Sequence, residues 1–498
     1  MKQDKLLSRE FREEKGARQG HKRASGNFKT YINPCLTSTN QSNLGFNIGP
    51  ICVTSVCIAD DTYVMSDDAR KLQGAINIVA HYGRRYRLIF GAEKTKVTVT
   101  GSVHDMEYYQ QIPLWTLYGE YLTVSENNEH LGLVVSGLEE EQKNIDKNVK
   151  AARKAIFALL SSSFAFKCNI SPSVKIHLWR TFVRPVLTSG LSALPVRPSV
   201  MKTLSSFHLK ILRGFLKLSK VSPIVPLYFL LGELPIEAVL HLGVFSLFWN
   251  LWSNPQTKLH HIVKYILKMS GDSSVTWSVH LRILMKMYDL PNPLGLLEGP
   301  AWCKEKWKEL YTCKVRAYHE KKLRIRAASN YKLRFLNIQA TGLNGHLHPA
   351  LLHLTTPQDI KMARPHLKML SGDYICNDSI AKDRGGDPRC RLCPSSPGIA
   401  ETICHILTEC KGTIEPRTRI WPELLNVTTQ LFPENKLLLG THNSSITAQF
   451  VLDSTSLNLP NEYRLDISHP GIADIFRVAR QYCYAVSTER LRNLKVLS

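Results

Sequence analysis

Between Lys147 and Gly232 the chain has no aspartate and no glutamate. Fourteen basic residues occupy that stretch: Lys147, Lys150, Arg153, Lys154, Lys167, Lys175, Arg180, Arg184, Arg197, Lys202, Lys210, Arg213, Lys217 and Lys220. No acid within the segment offsets them. A segment of one sign projects a positive field, and a phosphate backbone is its natural counterpart. An incidental solvated face is the bland alternative. Acidic lipid is a weaker one, because the charges spread over several expected helices rather than one amphipathic helix. Long apolar runs are missing too. The most apolar stretch, residues 223–252, is broken by Pro226, Glu233, Pro235, Glu237 and His241. No run reaches the ~18–20 apolar residues a bilayer-spanning helix requires, so no membrane partner is expected. The charged, polar start shows no secretory pattern. The carboxyl-terminal segment shows no PD-x-D/E-x-K nuclease pattern, and no ribonuclease H-like acidic set stands elsewhere.

What is present fits a nucleic-acid partner. The 498 residues carry 64 Lys+Arg against 41 Asp+Glu, a formal charge of +23, and an apolar fraction of 44% suffices for real cores. That length allows two to four domains. Twelve cysteines without secretory features fit a reducing, intracellular compartment, with the nucleus favoured, and favour metal over disulfide.

One short motif carries chemistry. Ile51 to Ile58 is an apolar run, Ala59-Asp60-Asp61-Thr62 follows, and Tyr63, Val64 and Met65 come next. The pattern predicts strand, tight turn, strand, with two carboxylates at the tip. Neighbouring carboxylates repel, and a divalent cation such as Mg²⁺ relieves the repulsion. The alternative is a solvated Asp-Asp turn.

The flanks extend the pattern. Upstream lie Lys15-Gly-Ala-Arg-Gln-Gly20, Ser25-Gly-Asn-Phe28 and Tyr31-Ile-Asn-Pro34; downstream lie Glu93-Lys-Thr-Lys96 and Glu129-His-Leu-Gly132. In this order and spacing the set resembles the reverse transcriptases of LINE-type (non-LTR) retrotransposons. The glycine-glutamine run is similar to their motif B, Ala-Asp-Asp to motif C, Glu-Lys-Thr-Lys to motif D and His-Leu-Gly to motif E. The resemblance implies that Asp60 and Asp61 are two of three carboxylates of a two-metal Mg²⁺ site. It makes Lys94 a candidate proton donor to the leaving pyrophosphate, with an exposed strand-end lysine as the alternative. It places Arg18, Gln19 and Gly20 against nucleotide or template. It makes the basic helices a thumb in which Lys150, Lys154, Arg180 and Arg184 hold the primer–template backbone. The third carboxylate belongs to a motif A upstream of motif B, where Asp4 is the one aspartate and shows no strand pattern. His21, Lys22 and Arg23 and the glycine at position 91 also depart from the family pattern. The expectation is a chain that does not synthesise DNA alone.

Periodicity supplies the rest. Ser25 is the expected cap of a helix with Phe28, Ile32, Cys35 and Leu36 on one face. Ile145, Val149, Ala152, Ile156 and Leu159 predict a helix, with Lys147, Lys150 and Lys154 on other faces. Further helices are expected over about 173–187, where Pro185 can kink the chain, and over about 198–218. Leu231 to Glu237 reads as a turn between helices. A helix over about 300–326 mixes Trp302, Trp307, Tyr311 and Tyr318 with nine Lys and Arg. Those aromatics either stack on bases or pack inward beneath wet lysines. Asp466 to Leu497 predicts a terminal amphipathic helix.

The second sharp motif is Cys390-x₂-Cys393-x₁₁-His405-x₄-Cys410. Such a set can close a tetrahedral, structural Zn²⁺ site. A disulfide or buried structural cysteines are the alternatives, and Cys404 competes as a ligand. It resembles the cysteine-histidine motif that follows the thumb in LINE-type proteins.

The expected fold class is α+β: a partial palm with a β-hairpin and helices (1–135), a basic helical thumb (136–252), a helical connector (253–380), a zinc knuckle (381–420) and a helical tail (421–498). The expected partners are an RNA template, a DNA target and, by association, a full-length retrotransposon polymerase. The rival reading is a non-catalytic nucleic-acid-binding zinc-knuckle protein of retroelement origin. A zinc-dependent regulatory DNA-binding protein is a third.

Overall fold

The computed structural model describes residues 2–3, 6–7 and 23–496, apart from 102–104, 106, 110–113, 137–138, 162–169, 272–274, 340, 395–397, 432–443 and several positions between 457 and 470. The described residues form an α+β chain of many helices and six two-stranded β pairs. It divides into two compact units, Met1–Glu140 with Pro255–Met269, and Glu141–Asn254 with Ser270–Ser498. The five segments drawn from the sequence thus regroup: a stretch of the expected connector joins the first unit, and the remaining helical segments share the second.

In the first unit the helix Ala24–Gln41 buries Ile32 and Cys35 against Val79 and Tyr82 of the helix Ala69–Tyr86. Phe28 and Leu36 flank that contact, as the apolar stripe requires. The start of the helix differs from expectation. Arg23 is the cap residue, its side chain makes no cap hydrogen bond to the helix, and Ser25 sits inside the first turn. The second helix is capped conventionally: Asp68 accepts the backbone N–H groups of Arg70 and Lys71.

Polar groups then fix the hairpin to the first helix. Asn40 Oδ1 accepts the N–H of Thr54 at 3.1 Å and of Ser55 at 3.3 Å, while its Nδ2 donates to the Ser55 carbonyl at 3.0 Å. Thr39 and Ser55 share a buried hydroxyl contact of 2.5 Å. One asparagine therefore satisfies three backbone groups of a strand end that would otherwise lack partners. The returning helix Lys258–Met269 closes on the same strands. Lys258 Nζ donates to the Cys52 carbonyl at 3.0 Å, and Tyr265 covers Gly49, where a Cβ would meet the ring at 2.1 Å.

In the second unit, Glu140–Ser161 and Pro198–Leu216 form close to where periodicity puts them. Between them the chain runs as Pro172–Leu178, a π-helical turn Trp179–Val183, and Arg184–Thr188. Pro185 has no N–H to donate, and its ring crowds the carbonyl four residues earlier. The wider turn ahead of it accommodates both defects.

The expected turn at 231–237 is a hub. Gly232 ends the helix Val225–Leu231 at φ 57°, and a Cβ there would lie 2.0 Å from the His346 carbonyl oxygen. Next comes Glu233, 1% exposed, which accepts from Trp179 Nε1 at 3.1 Å, Arg180 Nε at 2.7 Å and Arg184 Nη1 at 2.9 Å. A buried carboxylate needs such partners. The helix Ile236–Trp252 follows at a 60° bend from the preceding one, and much of both is buried. No single helix among the described residues is long and apolar enough to cross a membrane; only this bent pair passes by length and composition together.

The basic-aromatic helix is Lys304–Ala328. Trp307 and Tyr311 pack inward against Phe245, and Trp307 donates to the Phe245 carbonyl at 3.0 Å. The inward alternative holds for these two rings, and they are not available to bases. The terminal helix Ile472–Val496 is part of the second unit's core, burying Ile475, Phe476, Ala479, Tyr482, Cys483 and Val486.

Candidate nucleic-acid interface and metal centre

The strands Ser55–Ile58 and Asp61–Val64 pair antiparallel, with Ile58 opposite Asp61. Ala59 adopts φ 56°, a left-handed conformation that costs a residue with a Cβ roughly 1 kcal/mol or more. That backbone turns the chain within two residues and leaves the side chains of Asp60 and Asp61 exposed at the tip. Behind the tip, the Tyr63 ring lies 4.4 Å, centroid to centroid, from His130. His130 ends the first strand of a second hairpin, Asn127–His130 with Leu133–Ser136. The fold thus brings two of the sequence motifs side by side, which their separation of about seventy residues conceals.

Lys94 is exposed in the turn before the strand Lys96–Val97. Nothing in the described contacts joins it to Asp60 or Asp61. Among the described residues no third Asp, Glu, His or Cys completes a cluster with the two aspartates. Two hard oxygen donors suit Mg²⁺, which takes one or two carboxylates and leaves its other positions to water and phosphate oxygens. Arg18, Gln19 and Gly20 lie outside the described residues.

On the second unit, the helix Glu140–Ser161 buries Ile145, Val149, Ala152 and Ile156. Lys150, Arg153, Lys154 and Phe157 occupy its open side, with Phe157 67% exposed. These positions follow an i, i+3, i+4, i+7 pattern, so three cations and an aromatic ring share one face. Arg180 and Arg184 have a different setting. Both guanidinium groups bond Glu233, and Arg180 also donates to the carbonyls of Leu231, Gly232 and Gly345. The charge that these two offer a phosphate is offset by that carboxylate.

The four residues Cys390, Cys393, His405 and Cys410 come together, all buried, with ligand atoms within 4.8 Å of one another. The knuckle carrying the first two is closed by an Arg389–Ala400 bridge and by the Cys390 N–H donating to the Ile399 carbonyl at 2.9 Å. Thr402 caps the short helix Ile403–Thr408, which presents His405. Cys410 follows that helix, past its end at Thr408.

The distances test the metal directly. Zinc bonds of ~2.3 Å to sulfur and ~2.0–2.1 Å to nitrogen give tetrahedral edges of about 3.8 Å between sulfurs and about 3.6 Å between sulfur and nitrogen. The observed edges are 3.7 Å for Cys390–Cys410, 3.9 Å for Cys393–Cys410 and 3.5 Å from Cys393 Sγ to His405 Nε2. A disulfide would need ~2.0 Å. These residues would therefore hold zinc. Burial pushes the Cys390 thiol up to about 12 and raises Cys410 as well; a divalent cation supplies the opposite pull. His405 Nδ1 lies 3.5 Å from Glu409 Oε2, an outer contact that orients the ring. The Lys411 N–H donates to Cys393 Sγ at 3.3 Å. Cys404 faces Ser445 and Arg334 and stays outside the ligand set.

The sequence pattern did not reveal what holds this module. Glu401, 1% exposed, accepts from Arg490 Nε at 3.0 Å and Nη2 at 2.9 Å, and from the Asn377 N–H at 2.8 Å. Asn493 donates to the Gly412 carbonyl at 2.7 Å, and the Tyr482 hydroxyl bonds the Leu407 carbonyl. The terminal helix is the anchor.

No curated protein matches the chain. Residues 2–135, the span that holds the paired aspartates, Lys94 and the His130 hairpin, match the family model of reverse transcriptase (RNA-dependent DNA polymerase).

Proposed function

We propose that the chain is the carboxyl-terminal part of a LINE-type reverse transcriptase, one that binds RNA–DNA duplex but does not polymerise alone. The carrying observation is the hairpin that holds Asp60 and Asp61 exposed at its tip, inside a segment matching the reverse transcriptase family. Mg²⁺ held there would bind phosphate oxygens and stabilise the charge that develops in nucleotidyl transfer. Asp60 and Asp61 supply two carboxylates. A further donor is needed to fix the ions for catalysis, and none of the described residues provides it. Lys94 is proposed as the group that gives a proton to the leaving pyrophosphate once substrate brings the two sides together. Lys150, Arg153, Lys154 and Phe157 are proposed as the backbone grip, with Arg18, Gln19 and Gly20 against template. The zinc module, closed on four protein ligands, is proposed as a structural surface for RNA or DNA. Association with a complete polymerase, in the nucleus, is part of the same reading.

Primer extension on an RNA template with Mg²⁺ or Mn²⁺ tests it, together with duplex binding across a salt series. The expected result is no extension and binding that weakens steeply with salt. Extension that disappears in Asp60→Ala contradicts the incomplete site. Strong preference for one DNA sequence, weakly dependent on salt, favours a regulatory DNA-binding protein instead.

A further inference from the structure

Two stretches of the first unit carry no carboxylate. From Lys15 to Ala59, and again from Ala69 to Ala92, the chain has neither aspartate nor glutamate. The helices Ala24–Gln41 and Ala69–Tyr86 are therefore free of acid along their whole length. Where the second helix ends, Arg84, Arg85, Tyr86 and Arg87 are all exposed. Cations in a last turn suit the negative end of a helix dipole. That accounts for the sign of the charge but not for Arg87, which closes the helix in the left-handed conformation, φ 55°, where glycine is the usual residue. Among the described residues the three guanidinium groups meet no carboxylate. Arg84 lies over the Tyr118 ring, 5.4 Å from its centroid, and Arg85 over the Tyr86 ring at 5.7 Å.

Aromatic rings stand among these charges. Tyr86 is 39% exposed, and Tyr31 of the first helix 43%. The two meet edge to face at 6.2 Å between centroids, and Tyr86 stacks on Tyr82 at 4.3 Å. The Tyr31 hydroxyl donates to the Tyr86 carbonyl, and the Tyr82 hydroxyl to the Tyr31 carbonyl at 2.5 Å. The rings are thus held in place while Tyr31 and Tyr86 stay partly open to water. Tyr82 and Leu88 belong to the apolar cluster that also takes Cys57 and Val64 of the aspartate hairpin. The exposed patch and the hairpin share one support.

Guanidinium groups answer phosphate oxygens, and aromatic rings and guanidinium planes answer unpaired bases. A duplex hides its base faces in the stack, whereas a single strand offers them. An acidic polypeptide matches the charge and leaves the rings without a partner. We propose that Arg84, Arg85, Tyr86, Arg87 and Tyr31 form a binding surface for single-stranded RNA, the template strand where it lies outside the duplex. The assignment to template rests on the reverse-transcriptase reading above; the affinity for a single strand does not.

The full chain is titrated with labelled oligouridine, with polyglutamate, with a blunt RNA–DNA hybrid, and with that hybrid carrying an RNA or a DNA overhang, each across a salt series. It is compared with Arg85→Gln combined with Arg87→Gly, and with Tyr86→Leu. The parent should bind oligouridine, and should bind the RNA-overhang hybrid more tightly than the blunt one. Removing the two charges should flatten the salt slope for oligouridine by about 1.4. Removing the ring should weaken oligouridine about tenfold. Blunt-hybrid binding should be unchanged in both variants. Glycine suits the left-handed position, so the double variant should melt close to the parent. Oligouridine affinity and slope unchanged in both variants overturn the surface. Equal losses on oligouridine and blunt hybrid overturn the single-strand assignment. Polyglutamate bound as tightly as oligouridine overturns the nucleic-acid assignment. A DNA overhang that adds as much affinity as the RNA overhang overturns the template assignment and upholds the single-strand surface. A parent that binds oligouridine through these residues but no hybrid contradicts the reading above and upholds the surface. If Tyr86→Leu does not fold, the double variant decides alone.

Discussion

The two candidate metal sites in this chain are built on opposite plans. Cys390, Cys393, His405 and Cys410 are buried, mutually spaced for one ion, and tied to the terminal helix through Glu401 and Arg490. Asp60 and Asp61 are exposed, two in number, and carried at the tip of a two-stranded hairpin. A closed shell of four protein donors leaves no position for a reactant and stores its binding energy in the fold. A pair of exposed carboxylates holds little by itself and can share an ion with a phosphate. Burial and ligand count therefore separate a structural site from one suited to chemistry, even where both motifs are equally plain in the sequence.

The largest effect should come from the closed site. Chelation of zinc, or Cys393→Ser, should unfold the module and lower the melting temperature of the second unit. Apparent binding energies of about 10–16 kcal/mol in small zinc domains bound the loss. Metal analysis and calorimetry check this; no stoichiometric zinc, or an unchanged Cys393→Ser variant, breaks the contrast. Next comes the anchor. Arg490→Ala leaves Glu401 buried and charged, an expected cost of about 3–5 kcal/mol in denaturant unfolding.

A pH effect of intermediate size sharpens the picture of the second unit. Burial, as the largest cause, lowers His208, His319 and His366 to about 4 and His241 to about 3. His241 and His319 share the Tyr288 hydroxyl, at 2.7 Å and 2.9 Å. Their unfolded forms titrate near 6.5. Between that value and about 3–4 the unfolded chain binds more protons than the folded one. Stability is therefore full above pH 6.5 and falls as pH drops through this window, by up to about 1.4 kcal/mol per unit for each histidine. Urea unfolding at pH 7, 6 and 5 reads the slope; a flat profile contradicts it. The smallest effect belongs to the open site. Asp60→Ala with Asp61→Ala should move stability by no more than about 0.5 kcal/mol per residue, as for exposed side chains without buried partners.

Local patterns were legible because their causes are local. The hairpin follows from an apolar run, a turn and a second run. The stripe Ile145, Val149, Ala152, Ile156 follows from helix period, and the cluster of three cysteines and a histidine from their spacing. What escaped depends on contacts distant in sequence. Glu233 reads as an interruption in an apolar stretch; folding makes it the partner of Trp179, Arg180 and Arg184. Asn40 carries no motif, yet it holds the aspartate hairpin to its helix. Trp307 and Tyr311 had two readings until Phe245 and its neighbours filled the space beside them. Charge and aromaticity name what a side chain can do; packing decides which partner it meets.

The most direct test of the central claim is Mn²⁺ binding at the aspartate hairpin, followed by electron paramagnetic resonance with and without RNA–DNA hybrid. Weak Mn²⁺ binding should strengthen when hybrid is added and be lost in Asp60→Ala and in Asp61→Ala. Mn²⁺ binding that is identical in the parent and both variants, with hybrid present, would contradict it.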